Sequence, residues 1–134
     1  MITDPAWWIV YGQTSVPPGS ILQSLSPEVN GLVGEVHSLP YVVPALSQLN
    51  LECWGISAPG GSGTVALIPF IGPTTSNVLK RLPSAIAQAG MGIVQGNFIL
   101  PAGTLLNFEI QNSQSVVSIF SWYASGTVTV VGGP

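Results

Sequence analysis

Residues 92–111 read GIVQGNFILPAGTLLNFEIQ. Two runs rich in β-branched and aromatic residues, 92–100 and 104–111, flank Pro101, Ala102 and Gly103. Proline presets one backbone dihedral and glycine supplies a positive one, so these three residues make a tight turn and the segment predicts a β-hairpin. In the second run Leu106, Phe108 and Ile110 alternate with Asn107, Glu109 and Gln111. A period of two turns one set toward a core and the other outward.

The same grammar extends in both directions. Upstream, Leu49, Leu51 and Cys53 alternate with Asn50, Glu52 and Trp54, which places Cys53 as a small buried hydrophobe and Trp54 on the outward face with Glu52. A loop with Pro59, Gly60, Gly61 and Gly63 leads to a β-rich run, 64–71, where Pro69 lacks an N–H and so indicates an edge or a bulge. Downstream, 116–123 carries apolar groups on both faces, the pattern of a strand that is covered on both sides or contributes to a subunit interface. Residues 127–131 and 6–11 are further strands, and 32–36 and 41–43 are short extended pieces beside Pro40 and Pro44. Residues 17–19 form a turn, and 21–30 is read as a loop despite the helix-entry look of Ser26 and Pro27. In 76–90, Val78, Leu79, Leu82 and Ile86 fall near helical spacing, but Pro83 interrupts them, which leaves a short helix and a long loop both open. The expected fold is all-β: a single domain over 1–134, an antiparallel β-sandwich or jelly roll of about eight strands with at most one short helix, and with 1–20 as an N-terminal arm.

Charged residues make up 5% of the 134 residues, against roughly 25% in an average soluble domain, while the 46% hydrophobic share is ordinary. A net charge of −3 gives little self-repulsion, so the surface invites association and the working state is expected to be an assembly. Lys80 and Arg81 are the only basic side chains, too few to neutralise a run of phosphates, so no nucleic-acid partner is expected. Glycines and prolines break every long uncharged stretch, which argues against a membrane-spanning helix. The first twelve residues have Asp4 and Pro5 and no basic region ahead of their apolar patch, so they do not read as a secretory signal. Without that signal a small outer-membrane barrel ranks last. One cysteine suits a reducing compartment.

Chemistry has little to work with. There is no phosphate-binding glycine loop, no dinucleotide pattern and no zinc-ligand cluster, and His37 is the sole histidine, so neither a Ser-His-Asp triad nor a two-histidine metal site fits in one chain. A Cys53–His37 thiolate pair is conceivable only if the fold joins them, and the default is a core cysteine and a surface histidine. The five acids Asp4, Glu28, Glu35, Glu52 and Glu109 show no spacing that implies a paired-carboxylate or calcium site, and Glu52 and Glu109 fall at outward strand positions. The expectation is no enzymatic activity, no cofactor and no metal.

Aromatics and bases then supply the candidate contacts. Trp7 and Trp8 are adjacent, so in a strand they face opposite ways. Together with Tyr11 they make the terminal segment a candidate anchor, detachable from the β-domain. Trp122 and Tyr123 straddle both faces of their strand in the same manner. Lys80 and Arg81 are either solvated bases or docking residues for an acidic surface. Trp54 is the candidate platform for stacking a sugar ring.

Residues 97–112 (NFILPAGTLLNFEIQN) and 125–131 (SGTVTVV) resemble the closing strands of small trimeric jelly rolls, including the decoration or cement proteins of tailed-phage capsids. The resemblance is one of texture over the last third of the chain and transfers no functional residue. It implies a non-catalytic protein, a homotrimer, that bridges viral coat subunits within a virion assembled in the host cytoplasm. Two alternatives stay open, a carbohydrate-binding or host-attachment spike or fibre module and a self-assembling coat subunit.

Overall fold

The computed structural model describes residues 6–22, 39–60, 63–72, 78–114 and 118–131. Ten strands follow one another there: β1 (Ala6–Val16), β2 (Ser20–Leu22), β3 (Tyr41–Val42), β4 (Ser47–Pro59), β5 (Val65–Ile71), β6 (Lys80–Arg81), β7 (Ala85–Ala87), β8 (Ala89–Pro101), β9 (Leu105–Asn112) and β10 (Ser118–Val130). One sheet has the order β1-β10-β4-β8. In the other, β2 and β3 lie along one side of β9, β5 lies along its other side, and β6 and β7 pair with the far edge of β5. Every pairing is antiparallel. With β2/β3 and β6/β7 each counted as one interrupted strand, first pairs with last, second with second-last, and so on inward to β5 with β6/β7. That nesting is a jelly roll, and the expected all-β antiparallel sandwich is the fold observed. No helix among the described residues is long and apolar enough to cross a membrane.

The core lies between the sheets. Trp8, Val10, Leu49, Leu51, Trp54, Ile56, Phe120, Trp122 and Ala124 enter it from the first sheet, and Val65, Leu67, Leu106, Phe108 and Ile110 from the second. Ring pairs tie the layers together: Trp8 packs on Tyr41 with centroids 5.3 Å apart, and Phe108 on Trp122 at 6.1 Å. Burying a large aromatic removes 150–250 Å² from water, so these rings dominate the packing.

Several expectations are corrected. Residues 92–111 are two strands around a tight turn, closed by the Thr104 N–H on the Pro101 carbonyl at 3.1 Å, but not a hairpin: β8 pairs with β4 in the first sheet and β9 with β5, β2 and β3 in the second, so the turn carries the chain from one sheet to the other. The helix or long loop over 76–90 is, from residue 80, two short strands and the start of β8. Arg81 pairs with Phe70 and Ala85–Ala87 with Val65–Leu67, and burial there has period two: Ala85 and Ala87 inside, Ile86 out. Pro83 lies in the break between β6 and β7. Pro69, expected at an edge or a bulge, sits inside β5 opposite that break, and its carbonyl accepts the Leu82 N–H across the gap at 2.9 Å, so no ladder donor is needed from it.

The N-terminal arm is likewise β1 from Ala6 onward, paired over its whole length with β10 and placing Trp8 and Val10 in the core. Its removal is expected to uncover β10 and leave the core without Trp8 and Val10.

Glu109 is fully buried although its position on β9 points away from the core. Ile68, Phe70 and Asn107 are buried on the same outer side of the second sheet.

A further correction concerns β4. Its register slips between Leu51 and Cys53 against both neighbours, because Glu52 is an extra residue relative to β10 and faces Gly96 and Asn97 together on β8. This β-bulge reverses the alternation. Leu49 and Leu51 point inward, and then so do Trp54, Ile56 and Ala58, while Cys53 turns outward. The partner strand permits it through glycine: a Cβ on Gly126 would run into the Asn50 carbonyl oxygen. Trp54, the candidate sugar platform, is therefore sealed in the core, donating from Nε1 to the Pro83 carbonyl at 3.0 Å and packing on Phe98.

These positions set an order of stabilities. Trp54→Ala is expected to cost about 3–5 kcal/mol and Cys53→Ser less than about 1 kcal/mol in urea unfolding. An unbroken alternation would reverse that order.

Candidate interface on the four-stranded sheet

The outward face of the β1-β10-β4-β8 sheet is a broad four-stranded surface. Its side chains fall into cross-strand rows. Tyr11, Tyr123, Gly55 and Ile93 share one row, Ile9, Ser125, Cys53 and Gln95 the next, and Trp7, Thr127, Asn50 and Ile99 the third. On the other flank Gln13, Ser121, Ser57 and Met91 form a row, with Ser15 and Ile119 beyond. Among the described residues of this face Glu52 is the one charged side chain. Ile119, at 67% exposed, and Trp7, at 57%, stand furthest into solvent.

Three pairs of polar groups on this face bond to one another. Thr127 Oγ1 donates to Glu52 Oε1 at 2.9 Å, and Asn50 Nδ2 donates to Asn97 Oδ1 at 3.1 Å. Gln13 Nε2 donates to Ser121 Oγ at 3.4 Å. Neighbouring groups that already satisfy one another lose less when water is withdrawn than groups hydrated singly. Four strands spaced about 4.8 Å apart and some eleven residues long at about 3.3 Å each span on the order of 700 Å², near the roughly 800 Å² per partner of a stable protein–protein contact.

Tyr123 is the centre of the face. Its ring lies across Gly55, where an added Cβ would come within 2.8 Å of Cε1, and its hydroxyl meets Cys53 Sγ at 3.1 Å. Burial of the phenol, then the hydrogen bond to Cys53, then the repulsion between the two anions push its pKa up to about 12. The bulge at Glu52 makes this contact, since without it Cys53 would face the core.

The candidate contact residues thus divide. Trp7, Tyr11 and Tyr123 lie on the outward face. Trp8 and Trp122 do not: both are core residues, and Trp122 Nε1 donates to Thr14 Oγ1 at 3.3 Å. Lys80 and Arg81 are exposed on the opposite sheet. Arg81 is not simply solvated: its Nε donates to the buried Glu109 Oε1 at 3.0 Å, an oxygen that also accepts Gln111 Nε2 at 3.3 Å. A carboxylate fully withdrawn from water requires such partners.

Sequence reasoning missed Ile9, Met91, Ile93, Ile99 and Ile119 as members of the face. The signal was the doubly apolar run 116–123 and the alternate isoleucines of 92–100. His37, Asp4, Glu28 and Glu35 lie outside the described residues, and with them the Cys53–His37 pairing. Among the described residues no group of three or more His, Cys, Asp or Glu is gathered as a metal site would need.

Neither a protein-family model nor a curated protein sequence matches the chain. Solved structures do. The structure of infectious bursal disease virus, Gx strain, aligns over 98% of this chain and 34% of that one, with a TM-score of 0.55 and 15% identity. The VP2 subviral particle of the same virus aligns over 96% of this chain and 33% of that one, with a TM-score of 0.53 and 12% identity. The chain spans about a third of the length of those proteins, and at such identities the likeness is one of fold.

Two outcomes check the geometry. The phenolate absorbance step lost in Tyr123→Phe is expected near pH 12 instead of 10. Since the folded-state pKa is the higher one, Tyr123 supports the fold fully below about pH 10, and that contribution disappears as pH rises toward 12. Arg81→Ala leaves Glu109 buried without its cation and is expected to cost about 1–3 kcal/mol, given that Arg81 is half-exposed, while Lys80→Ala stays within about 0.5 kcal/mol. Chemical denaturation measures both.

Proposed function

We propose that this chain is a structural virion protein whose jelly roll works inside a shell, with the outward face of the four-stranded sheet as its contact surface. One observation carries the reading: a face large enough for a stable interface, built of interlocked neutral polar groups and exposed apolar side chains, with Glu52 as its one charge among the described residues. Core-like, charge-depleted patches of this kind mark protein–protein contacts. The fold shared with the VP2 subviral particle supports the setting.

Within that class the finer reading is a decoration or cement protein that acts as a homotrimer, bridges coat subunits and performs no catalysis. Trp7, Tyr11 and Tyr123 are its anchors. A second reading, a self-assembling coat subunit, is favoured by the solved structures themselves, which are particles of the aligned protein. Trp54, enclosed in the core, is not available as a sugar platform for the carbohydrate-binding or attachment alternative.

Electron microscopy of the purified protein, alone and mixed with empty shells, decides. A decoration protein is expected as discrete trimers that add density to the outside of shells. Closed shells or filaments formed from this chain alone establish the coat subunit. A soluble monomer that binds no shell at any concentration contradicts both.

A further inference from the structure

Among the described residues the four-stranded sheet ends on one side at β8, and the strand itself lacks the usual protection. It is thirteen residues long, with no charged residue and no proline before its last position, whereas natural edge strands are blunted by lysine, proline or brevity. Among the described residues no strand pairs with its outer side; Met91, Ile93 and Ile99 are each about half exposed, and even the inward-facing Val94 and Phe98 are only partly buried, while Trp54 and Ile56 beside them on β4 are sealed.

The strand is also complementary to itself. Residues 93–99 read IVQGNFI, which mirrors about Gly96. Two copies laid antiparallel around a two-fold axis at Gly96 place Ile93 opposite Ile99, Val94 opposite Phe98, Gln95 opposite Asn97 and Gly96 opposite Gly96 of the second copy. Apolar meets apolar, amide meets amide, and no like charges are opposed. Moving the axis to Gln95 sets Ile93 against Asn97, and moving it to Asn97 sets Gln95 against Ile99. Gly96 suits the axis because a Cβ there would come within 2.8 Å of the Phe98 ring. The opposite edge, β1, has no such symmetry: centred on Tyr11 it would set Trp7 against Ser15 and Ile9 against Gln13.

We propose that β8 is a docking edge for a second copy of this chain, joining two four-stranded sheets into one continuous eight-stranded sheet by antiparallel strand addition about Gly96. The contact is isologous, so each copy offers the same strand. It goes beyond the virion reading and does not depend on it, because it concerns only how two copies of this chain meet.

The test uses the full chain with Cys53→Ser, since Cys53 lies opposite Gln95 within one copy and would trap a new thiol there. Gln95→Cys and Asn97→Cys are prepared separately in that background, mixed under reducing conditions and then oxidised. Disulfide-linked dimers containing one of each are expected in the mixture and lost in either variant alone, where the thiols sit diagonally at about 7–8 Å and cannot bridge. Linkage in either single variant as strong as in the mixture, or no linkage at all, overturns the proposal.

Discussion

A single extra residue in the central strand β4 sets the rest of the arrangement. Because Glu52 has no partner of its own on β10, the strand changes face between Leu51 and Cys53. The indole of Trp54 then enters the sandwich, where it reaches the Pro83 carbonyl and anchors the break between β6 and β7 against the opposite sheet. The same reversal sends Cys53 outward to the Tyr123 hydroxyl. Core and outer face thus depend on one irregularity, and glycine allows it at the point where β10 passes closest to β4.

Most of the fold was legible because antiparallel strands write their burial into alternate residues. The period of β9 and the antiparallel sandwich follow from that rule, and so does the partition of Trp7 from Trp8; the hairpin read over 92–111 does not, because a tight turn looks the same in sequence whether it joins neighbours in one sheet or carries the chain between two. Errors arose where alternation is not local. Nothing in LECWG alone signals the bulge; the clue is Gly126, more than seventy residues away, which only pairing brings alongside. Residues 76–90 misled because short strands separated by a proline leave apolar residues at spacings that also suit a helix. Glu109 was misjudged because an outward position on a central strand can still be covered, with Arg81 supplied from β6 as its counter-charge. Of the candidate contacts, Trp7, Tyr11 and Tyr123 were legible as surface aromatics, and the isoleucines beside them were hidden among ordinary strand residues.

The scarcity of charge acquires a location in the structure. The four charged side chains among the described residues are Glu52, Lys80, Arg81 and Glu109, and the last three belong to the second sheet. The first sheet therefore faces outward with neutral side chains around the single carboxylate of Glu52, three pairs of them bonded across the strands. A virion component covered by neighbours has use for such a face, and a free monomer does not.

The central claim is that this face is covered when the protein works. Hydroxyl-radical footprinting at concentrations above and below assembly measures that directly. Trp7, Tyr123, Met91 and Ile119 are expected to lose reactivity in the assembled state while Leu79, exposed on the other sheet, keeps its own. Unchanged reactivity across the four, or protection confined to Leu79, would contradict the account.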